Sequence, residues 1–492
     1  VLTRRQFLAG ALTRGLPASA AAGVLAACHS KGRPAARAPL RGRVQILVGF
    51  DGGNTAPERQ IQQSLAGAFI ASHPQVGVDF LRATSAAAAQ AQLQALVTRG
   101  SAPDIVLGIG LDSLSGLVDQ HLWLDLHPLL RRDGVSTGSF LSQAMSATAL
   151  QDYYGNTGAL PGLPIGVHVH ALAYNEALFS KAGVPPPPAS WTDNAWAYPG
   201  SFLQTAQALT LDGGGRHAGQ AGFDATRVAQ YGVARLAPTT IYFSFGGNLY
   251  DRSKRRALFD SPSAVQGAQF AGDLTGKYQV LPTAAQLAEV AGPAAAGGPA
   301  GPSAGGAGTA EDQAAQAAWR AGKLAMIDLC SCEINSPFGL QLPFAWKAAP
   351  LPTGPSRRFA PLEVSLGAIV APSKQHDLAW EVLKFFTVDP GHERDLAYGG
   401  FNSMPGLNAN SDAFTQGVKG LGVDPTVWVA GRGGASAQND EWVPAFADVH
   451  TLLDNAFAGV AMGMPAATVM PQLQQQAQAK IDAWFKSNKL PH

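Results

Sequence analysis

The chain has 492 residues, 35 Lys and Arg against 34 Asp and Glu, a formal charge of +1 and only 14% charged residues. At roughly 100–200 residues per domain this length predicts two or three domains, each able to bury its own core. The near-neutral balance excludes the charge-driven capture of nucleic acid or acidic polymers, and 56 Gly with 34 Pro predict many turns on a compact scaffold.

Chain order begins with an address. Thr3-Arg4-Arg5-Gln6-Phe7-Leu8 opens a leader whose later part, Gly15 to Ala27, is uncharged and rich in Ala, Leu and Gly. That stretch is too short and too weakly apolar to span a membrane. The arginine pair followed by Phe-Leu resembles a twin-arginine export signal. Leu25-Ala26-Ala27-Cys28 resembles a bacterial lipobox, which makes Cys28 the acylated first residue of the mature protein. Residues 1–28 are therefore expected to be a signal peptide with lipobox and 29–42 a tether. Loss of Arg4, Arg5 and Arg14 leaves a net charge of −2. Acyl chains at Cys28 would hold the protein on a membrane without a transmembrane helix.

From Val44 to Ile109 the pattern reads strand, helix, strand, helix, strand. Val44, Ile46, Val48 and Phe50 alternate; Ile61, Leu65, Ala68 and Phe69 recur at helical spacing; Val76, Val78 and Phe80 alternate again. Ala86 to Val97 predicts a helix, and Asp104 to Ile109 is an apolar run suited to a strand buried on both faces. This is an α/β arrangement, in which ligands sit beyond the carboxyl ends of the strands, just after Phe50 and Ile109. Further on, Asn175 caps a helix that stops at Gly183, and Ser261-Pro262 opens one toward Lys277. Ala325 to Leu329 and Val364 to Val370 predict strands, and Leu378 to Thr387 a helix. Val469, Leu473, Ala477, Ile481 and Phe485 mark a closing amphipathic helix. Ala291 to Ala310, almost all Ala, Gly and Pro, predicts a disordered surface insertion. Besides Cys28 only Cys330 and Cys332 are present, too close in an extended strand for an unstrained disulfide, so a disulfide framework is excluded.

Several segments, in order, resemble the extracellular solute-binding proteins of ABC importers, in particular the sugar-binding group of family 1. They are Pro103-Asp104-Ile105-Val106; Leu163-Pro164-Ile165-Gly166-Val167 with Tyr174-Asn175, Leu178-Phe179, Ala182-Gly183-Val184-Pro185 and Trp191; and Gly246-Gly247-Asn248-Leu249 with Phe259-Asp260-Ser261-Pro262. Gly322-Lys323-Leu324-Ala325-Met326, Ala349-Pro350-Leu351-Pro352, Ala379 to Phe386 and Met404-Pro405 complete the series. The resemblance runs from about residue 43 to 486. It implies an α/β two-lobe periplasmic-binding-protein-like fold of type II, with lobes joined by crossing hinge strands near Pro164 to Val169, near Trp346 to Pro352 and after Phe386. Lobe one is then 43–165 and 348–388, and lobe two 166–347 and 389–486. A ligand bridges the lobes and closes the cleft.

The resemblance implies a monomeric binding protein, not an enzyme, that needs no cofactor. It would hold a mono- or oligosaccharide outside the cytoplasm, lipid-anchored to the cell membrane, and deliver it to an ABC permease. Sugars are held by carboxylates and amides that chelate hydroxyls and by aromatic faces. Candidates are Asp51, Asn54 and Asp112 after the first and third strands, and Glu363 after the second crossing. Thr240 and Tyr242 precede the Gly-Gly turn, Asn402 lies beside Met404-Pro405, and Trp442 opens the late helical region. His168 stands where relatives often carry an acidic contact, and His170 shares its strand face. One hydrogen-bonding and one structural histidine is preferred over a metal pair, because no third ligand is near in sequence. Cys330-Ser331-Cys332 stands where relatives commonly carry a stacking Trp, and Tyr153-Tyr154 is read as surface. Two alternatives remain: a secreted carbohydrate-active hydrolase, although no G-x-S-x-G elbow, H-E-x-x-H helix or P-loop is read, and a metal-binding receptor using His168 and His170.

Overall fold

The computed structural model describes residues 39–148, 159–292, 302–303, 306–307, 310–334, 342–434 and 443–487. Arg4, Arg5, Cys28, Tyr153-Tyr154 and Trp442 lie outside them. The chain divides into Val1–Pro39 and Leu40–His492, and every element below belongs to the second unit.

The first third folds as its periodicity predicts. β1 (Gly42–Val48), β2 (Val76–Arg82) and β3 (Ile105–Gly110) pair in parallel with β1 central, linked by α1 (Ala56–Ser72) and α2 (Ala86–Thr98). Thr55 starts α1 with a capping box: its hydroxyl accepts from Glu58 N, and the Glu58 carboxylate accepts from Thr55 N at 2.8 Å. The apolar run of β3 arises because both faces are covered. Ile105 and Leu107 join Val44, Ile46, Val48, Phe69 and Trp380 in one core, while Val106 and Ile109 join Leu47, Leu93 and Leu114 in the other. α3 (Leu111–Gly116) begins immediately after β3, so Asp112 lies in its first turn at the carboxyl end of the sheet.

The remaining strands are antiparallel and centre on β4 (Leu163–Asn175). At its end Asn175 accepts from Ala177 N and Leu178 N to cap α4 (Glu176–Ala182), which stops at Gly183 in the left-handed region. α5 (Pro238–Ser244) and α6 (Pro262–Gly276), capped by Ser261, follow. Within 293–309 only Pro302–Ser303 and Gly306–Ala307 are described, and they pair as a two-residue antiparallel ladder.

β5 (Met326–Cys330), β6 (Trp346–Ala349), β7 (Leu362–Ile369) and β8 (Met404–Pro405) complete the sheet, in the order β5-β4-β7-β3-β1-β2, with β6 and β8 also on β4. β4 changes partners along its length. Leu163 to Val169 pair with β7, whereas His170 to Tyr174 pair with β5 and Leu172 to Asn175 with β6. One continuous strand therefore serves two groups of strands, with the exchange at Val169 and His170. α7 (His376–Thr387) packs Trp380, Leu383 and Phe386 under the parallel strands, and α8 (Ala466–Ser487) closes the chain on the predicted stripe from Val469 to Phe485. No helix among the described residues is long and apolar enough to cross a membrane.

Candidate cleft at the strand exchange

Register explains how polar groups gather at this exchange. In an antiparallel pair, directly opposed residues share a face, and along a strand every second residue does. Glu363 opposes His168 and Cys330 opposes His170, so two imidazoles, a carboxylate and a thiol project from one face. Asp328, two residues before Cys330, joins them, as does Ser365, two after Glu363.

His170 is the keystone. Its Nδ1 lies 3.0 Å from Asp328 Oδ1 and its Nε2 3.2 Å from Glu363 Oε1. Burial disfavours the imidazolium, but the Asp328 and Glu363 carboxylates outweigh it and raise its pKa well above the ordinary value. Burial likewise opposes ionisation of Glu363, yet the His170 cation holds that carboxyl below the usual range. Arg235, held in the left-handed region at φ 59°, forks onto Glu333 through two 3.0 Å contacts and reaches Asp312 at 3.1 Å.

His170, Asp328, Glu363 and Arg235 help wall a cavity of about 210 Å³. Leu111, Asp112, Leu362 and Glu363 come from the β3 and β7 side; Arg235, Thr239 and Asp328 from the β5 side; Phe359 adds an aromatic ring and His170 stands between. The volume lies below the roughly 300–1,000 Å³ of drug-sized sites and suits a small polar molecule. Burial in the concavity, then Glu363 and Asp51, pushes the Asp112 carboxyl up to about 6, although its side chain still meets solvent at the mouth. Larger grooves along Phe344 to Ala348 and beside Lys480 and Trp484 are more open and gather fewer charged groups.

Of the residues singled out from sequence, Asp112 and Glu363 line this cavity. Asp51 and His168 lie in a neighbouring cluster: Asp51 accepts from Ser365 Oγ, and its Oδ2 is 3.8 Å from His168 Nε2. His168 is buried, and it is His170 that meets the cavity. Asn402, at φ 54°, donates to the Cys332 carbonyl. Asn54 spends its amide on Ala83 O at 2.7 Å. Thr240 and Tyr242 are inaccessible, the Tyr242 hydroxyl donating to Asn248 O at 2.8 Å, and the cavity is lined by Thr239 instead. The loop carrying Asp51 is latched by its N–H to Gly108 O at 3.0 Å. Gly108 sits at φ +69°, where a Cβ would collide with the Phe401 ring.

Sequence reasoning passed over Asp328, Arg235 and Phe359. Asp328 carried a usable signal, since an acid inside the apolar run Met326 to Cys330 demands a buried partner. The reading without a G-x-S-x-G elbow also overlooked that Gly301-Pro302-Ser303-Ala304-Gly305 spells the string; its Ser303 pairs with Gly306 in the two-residue ladder.

The sheet, its exchanged strand and a polar cleft with walls from both sides define a class, the two-lobed α/β binding proteins of the periplasmic type. The chain belongs to the bacterial extracellular solute-binding protein family, whose model matches residues 52–393. This is a family of binding proteins that act outside the cytoplasm, not of enzymes. Similar solved structures include UspC of Mycobacterium tuberculosis, 22% identical with a TM-score of 0.64, covering 89% of this chain and 100% of that one. The GacH receptor of Streptomyces glaucescens, solved unliganded and with acarbose, is 17% identical at TM-score 0.61, covering 92% and 99%. The cyclic α-maltosyl-1,6-maltose binding protein of Arthrobacter globiformis is 14% identical at TM-score 0.63, covering 90% and 100%. A search of curated protein sequences returns no match.

Proposed function

We propose that the chain captures a mono- or oligosaccharide in the cleft around His170 and delivers it to an ABC permease. One observation carries this reading: three carboxylates, a guanidinium, an imidazole and the Phe359 ring converge on a cavity of about 210 Å³ from both sides of the strand exchange. Carboxylates chelate paired hydroxyls, the guanidinium donates to ring and hydroxyl oxygens, and the phenyl ring covers an apolar sugar face. The solutes named for GacH and the Arthrobacter protein support a carbohydrate. We place lobe one at 43–165 and lobe two at 166–347 and 389–486. Arg357 and Arg358 still bond the carbonyls of Phe243 and Asp193, which favours a return to lobe one at 359–362. Closure of the lobes on the ligand is the form a permease reads.

The test is a thermal-shift screen of the mature protein against a sugar panel, with recovery of the bound ligand. A ligand at 100 times its Kd stabilises by about 2.7 kcal/mol. The expected result is a melting temperature raised by one sugar class and an unaltered ligand after prolonged incubation. No shift across the panel removes the carbohydrate reading, and a cleaved sugar removes the transport reading.

The proposed address is twin-arginine export followed by lipid anchoring, resting on Arg4, Arg5 and Cys28. Cys28→Ala should lose acyl labelling and membrane retention, and Arg4→Lys with Arg5→Lys should hold precursor in the cytoplasm. Acylation of the Cys28 variant, or normal export of the double variant, counts against the respective step.

A further inference from the structure

We propose that His168, Cys330 and Cys332 form a binding site for a thiophilic d10 cation, Zn2+ or Cu+, beneath the solute cavity. The sequence offered two histidines and no third ligand; the fold supplies two thiols from 160 residues further along. One ligand atom from each of the three residues lies within 4.8 Å of the others, and all three side chains are buried. A cation about 2.3 Å from each sulfur needs the sulfurs roughly 3.8 Å apart, so small side-chain adjustments suffice.

The hydrogen bonds select the donor nitrogen. Ser403 Oγ donates its proton to Phe401 O at 3.2 Å and lies 3.0 Å from His168 Nε2, so the hydroxyl accepts from Nε2–H. Asp51 Oδ2, 3.8 Å from the same nitrogen, favours that tautomer. Nδ1 is buried and makes no hydrogen bond of ordinary geometry, and the Cys330 thiol is the group that interacts with this ring, so an ion entering here would take the place of the proton between them. A ring whose second nitrogen is held by a hydroxyl and a carboxylate has the outer-shell arrangement of metal-ligating histidines.

Both thiols are free, and Cys332 N–H donates to Cys330 Sγ at 3.2 Å; both lie above the ordinary thiol value, Cys332 at about 11, so a bound cation must displace their protons. The Cys-Ser-Cys turn is pinned by Val169 N–H to Ser331 Oγ at 3.2 Å, by Cys330 N–H to Glu333 Oε2 at 3.0 Å and by Asn402 to the Cys332 carbonyl. Two sulfurs and one imidazole suit Zn2+ or Cu+, whereas Mg2+ and Ca2+ require oxygen ligands. His170, Cys330 and Glu363 also approach one another. Both nitrogens of His170 are already engaged by Asp328 and Glu363, so that trio stays an ion network. None of the three proposed ligands lines the solute cavity, and the inference does not depend on the sugar reading.

The test uses the purified full chain, reduced, loaded separately with Zn2+ and anaerobically with Cu+, then desalted and assayed for metal. Retention of one ion per chain in either arm is expected, and the arm that retains it names the ion. Co2+ should give the near-ultraviolet thiolate charge-transfer band without any substitution. Cys332→Ser and His168→Asn, checked for folding by circular dichroism, should each weaken binding by roughly 100-fold. Failure to retain either ion, undiminished affinity in both folded variants, or a Cys330–Cys332 disulfide in chain isolated without reductant overturns the proposal. Each readout is taken without solute, so it stands or falls apart from the sugar screen.

Discussion

Replacing His170 by alanine is expected to destabilise the protein by about 1.5–3 kcal/mol at neutral pH, the usual worth of hydrogen bonds to charged groups, because the Asp328 side is buried while the Glu363 side chain is 40% exposed and screened by solvent. Asp328 is 4% exposed and Glu363 is its neighbour across the same ring. Without the imidazolium, Asp328 and Glu363 face one another and keep only the more distant Arg235 and His168 as counter-charges. The sign of the pH dependence follows from the raised pKa of His170. Its contribution is fully present below the unfolded value of about 6.5 and is lost as pH rises through the higher folded value. The stability gap between wild type and His170→Ala should therefore narrow toward alkaline pH. It should narrow again in acid, as pH falls through the depressed Glu363 value and the attraction between His170 and Glu363 is lost. Urea melts of both proteins across this range measure it. A gap below about 1 kcal/mol at neutral pH, or one that ignores pH, would mean that the ring is not the counter-charge of this cleft.

The second large effect is expected on binding. Asp112→Asn keeps the shape of the side chain and removes its charge, and should weaken the sugar found in the screen roughly ten- to hundredfold. Hydrogen bonds to charged groups are worth about 1.5–3 kcal/mol. The Asp112 carboxyl is pushed up to about 6. Ionising it in the folded protein is unfavourable, so ligand-free stability declines as pH rises from the ordinary carboxylate range through about 6. The ligand-free melting temperature of Asp112→Asn at neutral pH should accordingly equal or exceed that of wild type. Wild-type affinity should weaken as pH falls through about 6, and the variant should lack that dependence. Calorimetric titration at several pH values reads both; an Asn variant with full affinity would show that Asp112 only shapes the cleft wall.

Which parts of this molecule were readable before folding depends on how local their causes are. The strands around Val44, Val76 and Ile105, the capped helix after Asn175 and the stripe from Val469 to Phe485 follow from side-chain period and cap chemistry within a few residues. Asp112 and Glu363 were legible as cleft residues because polar groups next to strand ends in an α/β sheet are well placed to meet a ligand. Asn54, Thr240 and Tyr242 carried the same kind of signal. Whether an amide or hydroxyl remains available depends on its neighbours, and those of Asn54 and Tyr242 are spent on the carbonyls of Ala83 and Asn248.

By itself, then, the sequence determined the α/β class, the order of elements and the family, since period, caps and motif order are properties of contiguous residues. The tertiary structure alone decided that His170 lines the cavity at the strand exchange while His168 is buried beside it, and that Asp328, Cys330 and Cys332 join them. That grouping rests on strand register, Cys330 opposite His170 and Glu363 opposite His168. A shift of one residue in either pairing would turn each side chain to the other face, and no short-range feature of the chain encodes which register wins.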